Sequence, residues 1–377
     1  TSNLDAPEIK LPGDNFNTVL WSGTDPGAVN ISPTGVGFQP DLVWAKTRNS
    51  TWGHQLTDSL RGAGKSLASE DTSAEVTNSA NGYISSFDSD GFTAQYGSSN
   101  NAYYNVTGGT YVAWNWLAGT APTEDNEEDP GATPTAGSVK IDGSNLGSAL
   151  AGTIAATRLS ANTTSGFSIV KYTGNDTSGA TLAHGLSSAP ELIIAKGINY
   201  AGTNWPVGAT PMSSGWTKYM QLDANDAEST STARWNDTAP TASVFSIGDD
   251  NQVNNSSYNY IAYCFHSVEG YSKVGSYEGN SNADGSFVYT GFRPAWILVK
   301  NIDASAYWIL VDNKRIGYNP RNDVLYPNTS NAEVDVDDFF DIVSNGFKLR
   351  SSDSDVNSST LLYYAIAEAP FKFASAR

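Results

Sequence analysis

The sequence predicts an all-β protein made of three tandem antiparallel β-sandwich repeats, jelly-roll-like and each about 100 residues long. Three observations predict it. First, 35 glycines, with Ser, Thr and Asn, fill the spaces between short apolar runs, the pattern of many strands joined by polar turns. Second, a strand led by proline occurs three times, as "GFQPDLVWAK" over 37–46, "APELIIAK" over 189–196 and "GFRPAWILVK" over 291–300. Third, the columns around it keep their spacing. An aromatic strand precedes each proline, with Trp21, Tyr172 and Tyr277. An Ala-Glu pair follows at Ala74-Glu75, Ala227-Glu228 and Ala332-Glu333. A closing strand is centred on Ala113, Ala262 and Ala365, at distances of 73 (113−40), 72 (262−190) and 71 (365−294) from the proline.

The elements follow in order. Residues 1–15 read as an N-terminal arm, 16–119 as the first repeat, 120–166 as a linker, 167–268 as the second repeat and 269–377 as the third. The linker opens on the acidic run Pro122 to Pro130 and is expected to drape over a neighbouring copy. Within a repeat, Val112, Trp114 and Trp116 alternate with Tyr111, Ala113 and Asn115, which fits one buried face. The run Trp296-Ile297-Leu298-Val299 is apolar on both faces and reads as a central strand. Each proline suits a first strand residue, where its missing N–H breaks no ladder bond.

Charge narrows the partners. With 39 acids against 21 bases the net charge is −18, which repels phosphate backbones and anionic lipid, so no nucleic-acid partner is expected. No run approaches the roughly 18 apolar residues of a membrane span, so no membrane insertion is expected. Cys264, the single cysteine, lies in "YIAYCF" and reads as a core residue. The start at Thr1 reads as a processed or partial chain.

Several patterns in the sequence suggest chemistry. Lys65-Ser66 follows "GAG", but a phosphate loop needs glycine where Ser59 stands. His54, Asp58 and Ser59 evoke a hydrolytic triad; Asp58 and Ser59, however, point to opposite faces of one strand. Asp58 and Arg61 recur at the same spacing as Asp312 and Arg315, which reads as a structural ion pair. His54, His184 and His266 lack zinc spacing. Calcium is the only cofactor suggested, at Asp353-Ser354-Asp355-Val356-Asn357, at Asp88 and Asp90, or in the cluster Asp335, Asp337, Asp338 and Asp341. The first of these lacks the glycine and the closing glutamate of a calcium loop. Trp52, Trp205 and Trp308 fall in corresponding regions of successive repeats. Trp52 and Trp205, with Tyr318, are the expected glycan contacts, although burial in a core is the commoner fate of a large ring. The loops 202–216 and 318–327 differ most between repeats and are the expected recognition surface. No catalytic residues are expected.

The strings "DSLRGAGKSLASEDTSAE", "TYVAWNWLAG", "YIAYCFHSVEGYSKVGSYEGN" and "VYTGFRPAWILVKN" resemble repeats in tail-fibre and virion-surface proteins of marine tailed phages, over nearly the whole chain. The resemblance implies a non-enzymatic virion protein on the outside of a particle, serving assembly, decoration or host attachment. The expected partners are other virion proteins, other copies of itself in a homo-oligomer of trimeric type, and a host surface glycan. The alternatives are a secreted array of glycan-binding modules and a depolymerase spike.

Overall fold

The computed structural model describes residues 7–25, 29–126 and 131–374, with the side chains of 336–338 left out. Part of the arm, part of the acidic run (residues 127–130) and the side chains of Asp337 and Asp338 therefore lie outside the described residues. The protein is all-β. The α-helices among the described residues are single turns, Thr232–Trp235 and Ser354–Asn357.

Three sheets share one strand order. In the N-terminal sheet Phe16–Ser22 lies beside Thr110–Trp116, then Leu42–Thr47, then Gln55–Asp58. The central sheet has Phe167–Thr173, Asn259–Phe265, Leu192–Gly197 and Pro206–Ala209 in that order. The C-terminal sheet has Ser272–Glu278, Thr360–Pro370, Phe292–Asn301 and Trp308–Asp312. Every pairing among these strands is antiparallel. The proline strand is thus central in each sheet, as its two apolar faces require.

Register corrects two sequence expectations. Ala45 faces Ala113 and Ala195 faces Ala262, but the corresponding Val299 faces Tyr363, and Ala365 lies two residues further along. The third alanine of the column is therefore a coincidence of spacing. Pro40 and Pro190 precede their strands. Pro294 instead lies inside Phe292–Asn301, where the register shifts on both sides of it. A proline offers no N–H to the ladder, so the strand accommodates it as a bulge.

A second layer covers one face of each sheet. It pairs Tyr83–Asp88 with Gly91–Gln95 in the N-terminal sandwich and Ala180–Ala183 with Val244–Ile247 in the central one. In the C-terminal sandwich it is a four-stranded sheet that includes Phe287–Tyr289 and Gly346–Leu349. Because side chains alternate along a strand, Val43 and Ala45, Ile193 and Ala195, and Ile297 and Val299 face these layers and form three separate cores. Their neighbours face the other way into one core common to all three sheets. It contains Trp44, Trp114 and Trp116, then Ile194, Tyr263 and Phe265, then Trp296, Leu298 and Tyr364. An apolar cavity of about 20 Å³ at its centre is lined from all three sheets, room for little more than one water and without polar partners to hold it.

Main-chain bonds join the sandwiches in a cycle. Glu75 N–H donates to the Ile198 carbonyl (2.8 Å), Glu228 N–H to Ile302 (2.8 Å) and Glu333 N–H to Arg48 (2.6 Å). These are the glutamates of the recurring Ala-Glu pair, and each directly precedes a strand, Val76–Thr77, Ser229–Thr230 or Val334–Val343. Rings repeat the pattern. Trp205 Nε1 donates to Ala68 O and Trp308 Nε1 to Gln221 O, both at 2.9 Å. His54 Nδ1 accepts from Trp44 Nε1, so its Nε2 carries the proton and donates to Tyr326 O at 3.1 Å. Beneath each junction a buried lysine of the proline strand donates to loop carbonyls: Lys46 to Thr47 and Ser50, Lys196 to Thr203, Lys300 to Asn301 and Asn225. Burial pulls each of the three down to about 8.

The stretch 120–166, expected as a linker crossing to a neighbouring copy, is folded onto its own chain. Arg158–Asn162 pairs with Phe167–Thr173 and carries Val139–Ile141 on its other side, extending the central sheet. Gly119 N–H donates to Ser160 Oγ and Ser160 Oγ donates to the Thr120 carbonyl, so the segment also binds the end of the N-terminal sandwich. Its strand signal was weak because these strands are short and polar.

Candidate functional site

The residues that suggest chemistry in the sequence are engaged elsewhere in the fold. Ser59 Oγ donates to Asp41 (2.8 Å), and Asp58 accepts from Arg61 Nε (2.6 Å) and from Tyr263 Oη (2.8 Å) of the central sandwich. His54 is held by Trp44 and Tyr326, and burial keeps its ring well below its ordinary pKa. Lys65 bonds Thr77 and Glu75. Cys264 is buried, and its thiol is pushed up to about 12.

The calcium candidates are tied into turns and strands. Asp353 accepts from Asp355 N–H and caps a helical turn. Asn357 donates to Asn280, Asn282 and Ser351. Asp88 accepts from Ser86 and Thr93, Asp90 from the N–H groups of Gly35 and Gly37. Asp335 accepts from Asn322 and Asp341 pairs with Arg350. Among the described residues no three His, Cys, Asp or Glu side chains converge as a metal requires.

The expected glycan contacts divide. Trp205 is fully buried, as is Trp308, and its ring N–H is spent on the inter-sandwich bond; it cannot reach a sugar. Tyr318 is 70% exposed beside a shallow cleft with Arg315 and Asp335. Trp52 is 36% exposed and meets Tyr103 edge-on at 5.7 Å. The loop 202–216 is largely absorbed into the fold, since it contains the strand Pro206–Ala209 and buries Trp216.

Two further aromatic pairs, missed in the sequence, resemble that of Trp52. Tyr200 stacks on Tyr258 at 4.3 Å, and Tyr307 lies against Tyr326 at 4.9 Å. Trp52, Tyr200 and Tyr307 all sit in the loop that follows a proline strand, each in a different sandwich. The cycle bonds through Arg48, Ile198 and Ile302 come from those same loops, so the three pairs gather at one end of the molecule. The available signal was an aromatic ring among turn residues, as in Asn199-Tyr200-Ala201-Gly202.

Glu70 lies under the same end. Its carboxylate accepts the His54 N–H at 3.1 Å. Burial pushes it up to about 7. An acid whose folded pKa lies above its unfolded value holds its proton longer when folded, so stability falls as pH rises from about 4.5 to about 7. Glu70→Gln keeps an acceptor for the His54 N–H and removes the buried charge. It is expected to stabilise the protein at pH 8 by on the order of 2 kcal/mol and to leave pH 4 nearly unchanged. Urea unfolding at the two pH values checks this, and an equal effect at both would rule it out.

The sequence profile of a family described as a domain of unknown function (DUF7483) matches residues 11–370. No curated protein and no solved structure matches the chain.

Proposed function

The chain belongs to the DUF7483 family, and from its architecture together with the resemblance of its sequence strings we propose that it is a non-enzymatic structural protein of a bacteriophage virion, a tail-fibre, appendage or capsid-surface component. In this reading the three sandwiches are tandem repeats of about 100 residues arranged around a pseudo-threefold axis. The observation that carries the structural role is the closed cycle. Three matching strand orders, three Glu-to-carbonyl bonds and one common core make a rigid body, and His54, Asp58 and Ser59 are hydrogen-bonded within it. The resemblance of its sequence strings supplies the virion and its surface.

Partners in this reading are other virion proteins and further copies of the chain. The test is imaging of particles with a labelled antibody against the purified chain, beside a mass measurement in solution. Label on the particle surface and a multiple of 40.0 kDa are expected. Particles without label would overturn the virion role, and a mass of 40.0 kDa alone would overturn the self-association.

The exposed aromatic pairs favour one second reading, a secreted array of glycan-binding modules. It differs in leaving the chain free of any particle.

A further inference from the structure

We infer that the end of the molecule carrying Trp52, Tyr200 and Tyr307 is a three-site binding surface for uncharged pyranose chains. The inference deepens the attachment reading above and rests on it only for which surface bears the glycan.

The rings are where water reaches them, at 36%, 45% and 41% exposure. One aromatic face is left partly in solvent three times, at corresponding loops of otherwise different sequence. Each ring is steadied by a second one, Tyr103, Tyr258 or Tyr326. A ring held in place loses little freedom on binding, which favours weak ligands. The C–H face of a pyranose stacks on such a ring, and its hydroxyls then need acceptors nearby. Carboxylates lie at two of the three sites. Next to Trp52, Glu70 packs against Gly53 and accepts the His54 N–H, and the exposed Asp71 follows it in the chain. Asp353 and Asp355 add to the effect of burial on the Tyr326 phenol, and the exposed Asp353 caps the helical turn beside it.

Charge selects within the sugars. A chain of net charge −18 with carboxylates beside its rings repels sulfated and carboxylated glycans. One ring in each of three corresponding loops fits a repeating ligand that meets one ring at a time. Such binding is weak per site, on the order of 1 mM, and gains through simultaneous engagement.

The full-length chain is titrated by calorimetry with neutral hexasaccharides of glucose, galactose, mannose and N-acetylglucosamine, and with dextran sulfate. It is also tested for retention on the corresponding immobilised polysaccharides. Binding to at least one neutral hexasaccharide and none to dextran sulfate is expected. The triple variant Trp52→Ala, Tyr200→Ala, Tyr307→Ala is expected to lose more than tenfold in affinity with its melting temperature kept. Tyr200→Phe, which preserves stacking, should keep its site if the triple variant proves unstable. Retention on polysaccharide should fall more steeply with each ring removed than hexasaccharide affinity does. Silence with every neutral sugar, preference for dextran sulfate, or a well-folded triple variant that binds as before would overturn the inference. The two readings fail separately. A chain found on particles whose sugar binding ignores the triple substitution overturns the sugar surface alone. A chain absent from particles whose sugar binding needs the three rings overturns the virion role alone.

Discussion

Asp312→Ala is expected to destabilise the protein by about 3–5 kcal/mol, because it takes from a buried guanidinium the nearer of its two carboxylate partners. The Asp312 and Arg315 side chains are fully buried and 2.6 Å apart. Asp312 also accepts the Trp114 Nε1–H from the N-terminal sandwich at 3.0 Å, and the N–H groups of Lys314 and Arg315. Arg315 continues to Glu333 at 3.0 Å, the residue that closes the cycle on Arg48. Burial alone would raise the Asp312 carboxyl, but the Arg315 charge and its hydrogen bonds outweigh that and hold it below its ordinary value. A carboxyl depressed in the fold stabilises above its unfolded pKa, and that contribution is lost as pH falls below about 4. The variant should therefore differ most from the parent at neutral pH and least in acid. Urea unfolding at pH 7 and pH 3 checks this, and a loss under about 1 kcal/mol at pH 7 would show that the pair is not needed.

Trp296→Ala is expected to cost a similar amount, about 3–5 kcal/mol, and its distribution is the informative part. Trp296 is buried in the common core, edge-on to Trp116 at 5.6 Å and near Phe16 at 6.2 Å, both in the N-terminal sandwich, and to Tyr364 at 5.7 Å in its own. If the common core couples the sandwiches, amide exchange should quicken in all three sheets. Ile297→Ala, one residue on but facing the separate C-terminal core, should act mainly on its own sandwich. Faster exchange confined to residues 271–374 in the Trp296 variant would contradict the coupling.

The strands were legible because backbone requirements recur. An apolar run after a proline has few places in a sheet, and three such runs fix three central strands. The Asp-Arg spacing was legible for the same local reason. The cycle was not, because Glu75, Glu228 and Glu333 act through their N–H groups, and a main-chain donor leaves no mark on residue type. The column of Trp52, Trp205 and Trp308 misled for a related reason. The residue sharing the role of Trp205 and Trp308 is His54, which supplies a ring N–H to the neighbouring arm from a different residue type. With Trp52 displaced from that role, its ring is the one left near solvent. The companions Tyr200 and Tyr307 were hidden because exposure depends on loops folding together.

The order in which the cycle is joined bears on how the chain emerges during synthesis. The face of the N-terminal sheet bearing Trp44, Trp114 and Trp116 is covered by the central and C-terminal sheets. The last strand that covers it ends at Pro370, so about 250 residues must follow Trp116 before the face is closed, roughly 13–50 s of translation at about 5–20 residues per second. Until the central sheet is complete at Phe265 the whole of this tryptophan-rich face is open to anything apolar in the cell, and part of it stays open until the C-terminal sheet follows. A chain released before the C-terminal sheet is made would carry that open part of the face and be prone to stick to its own kind.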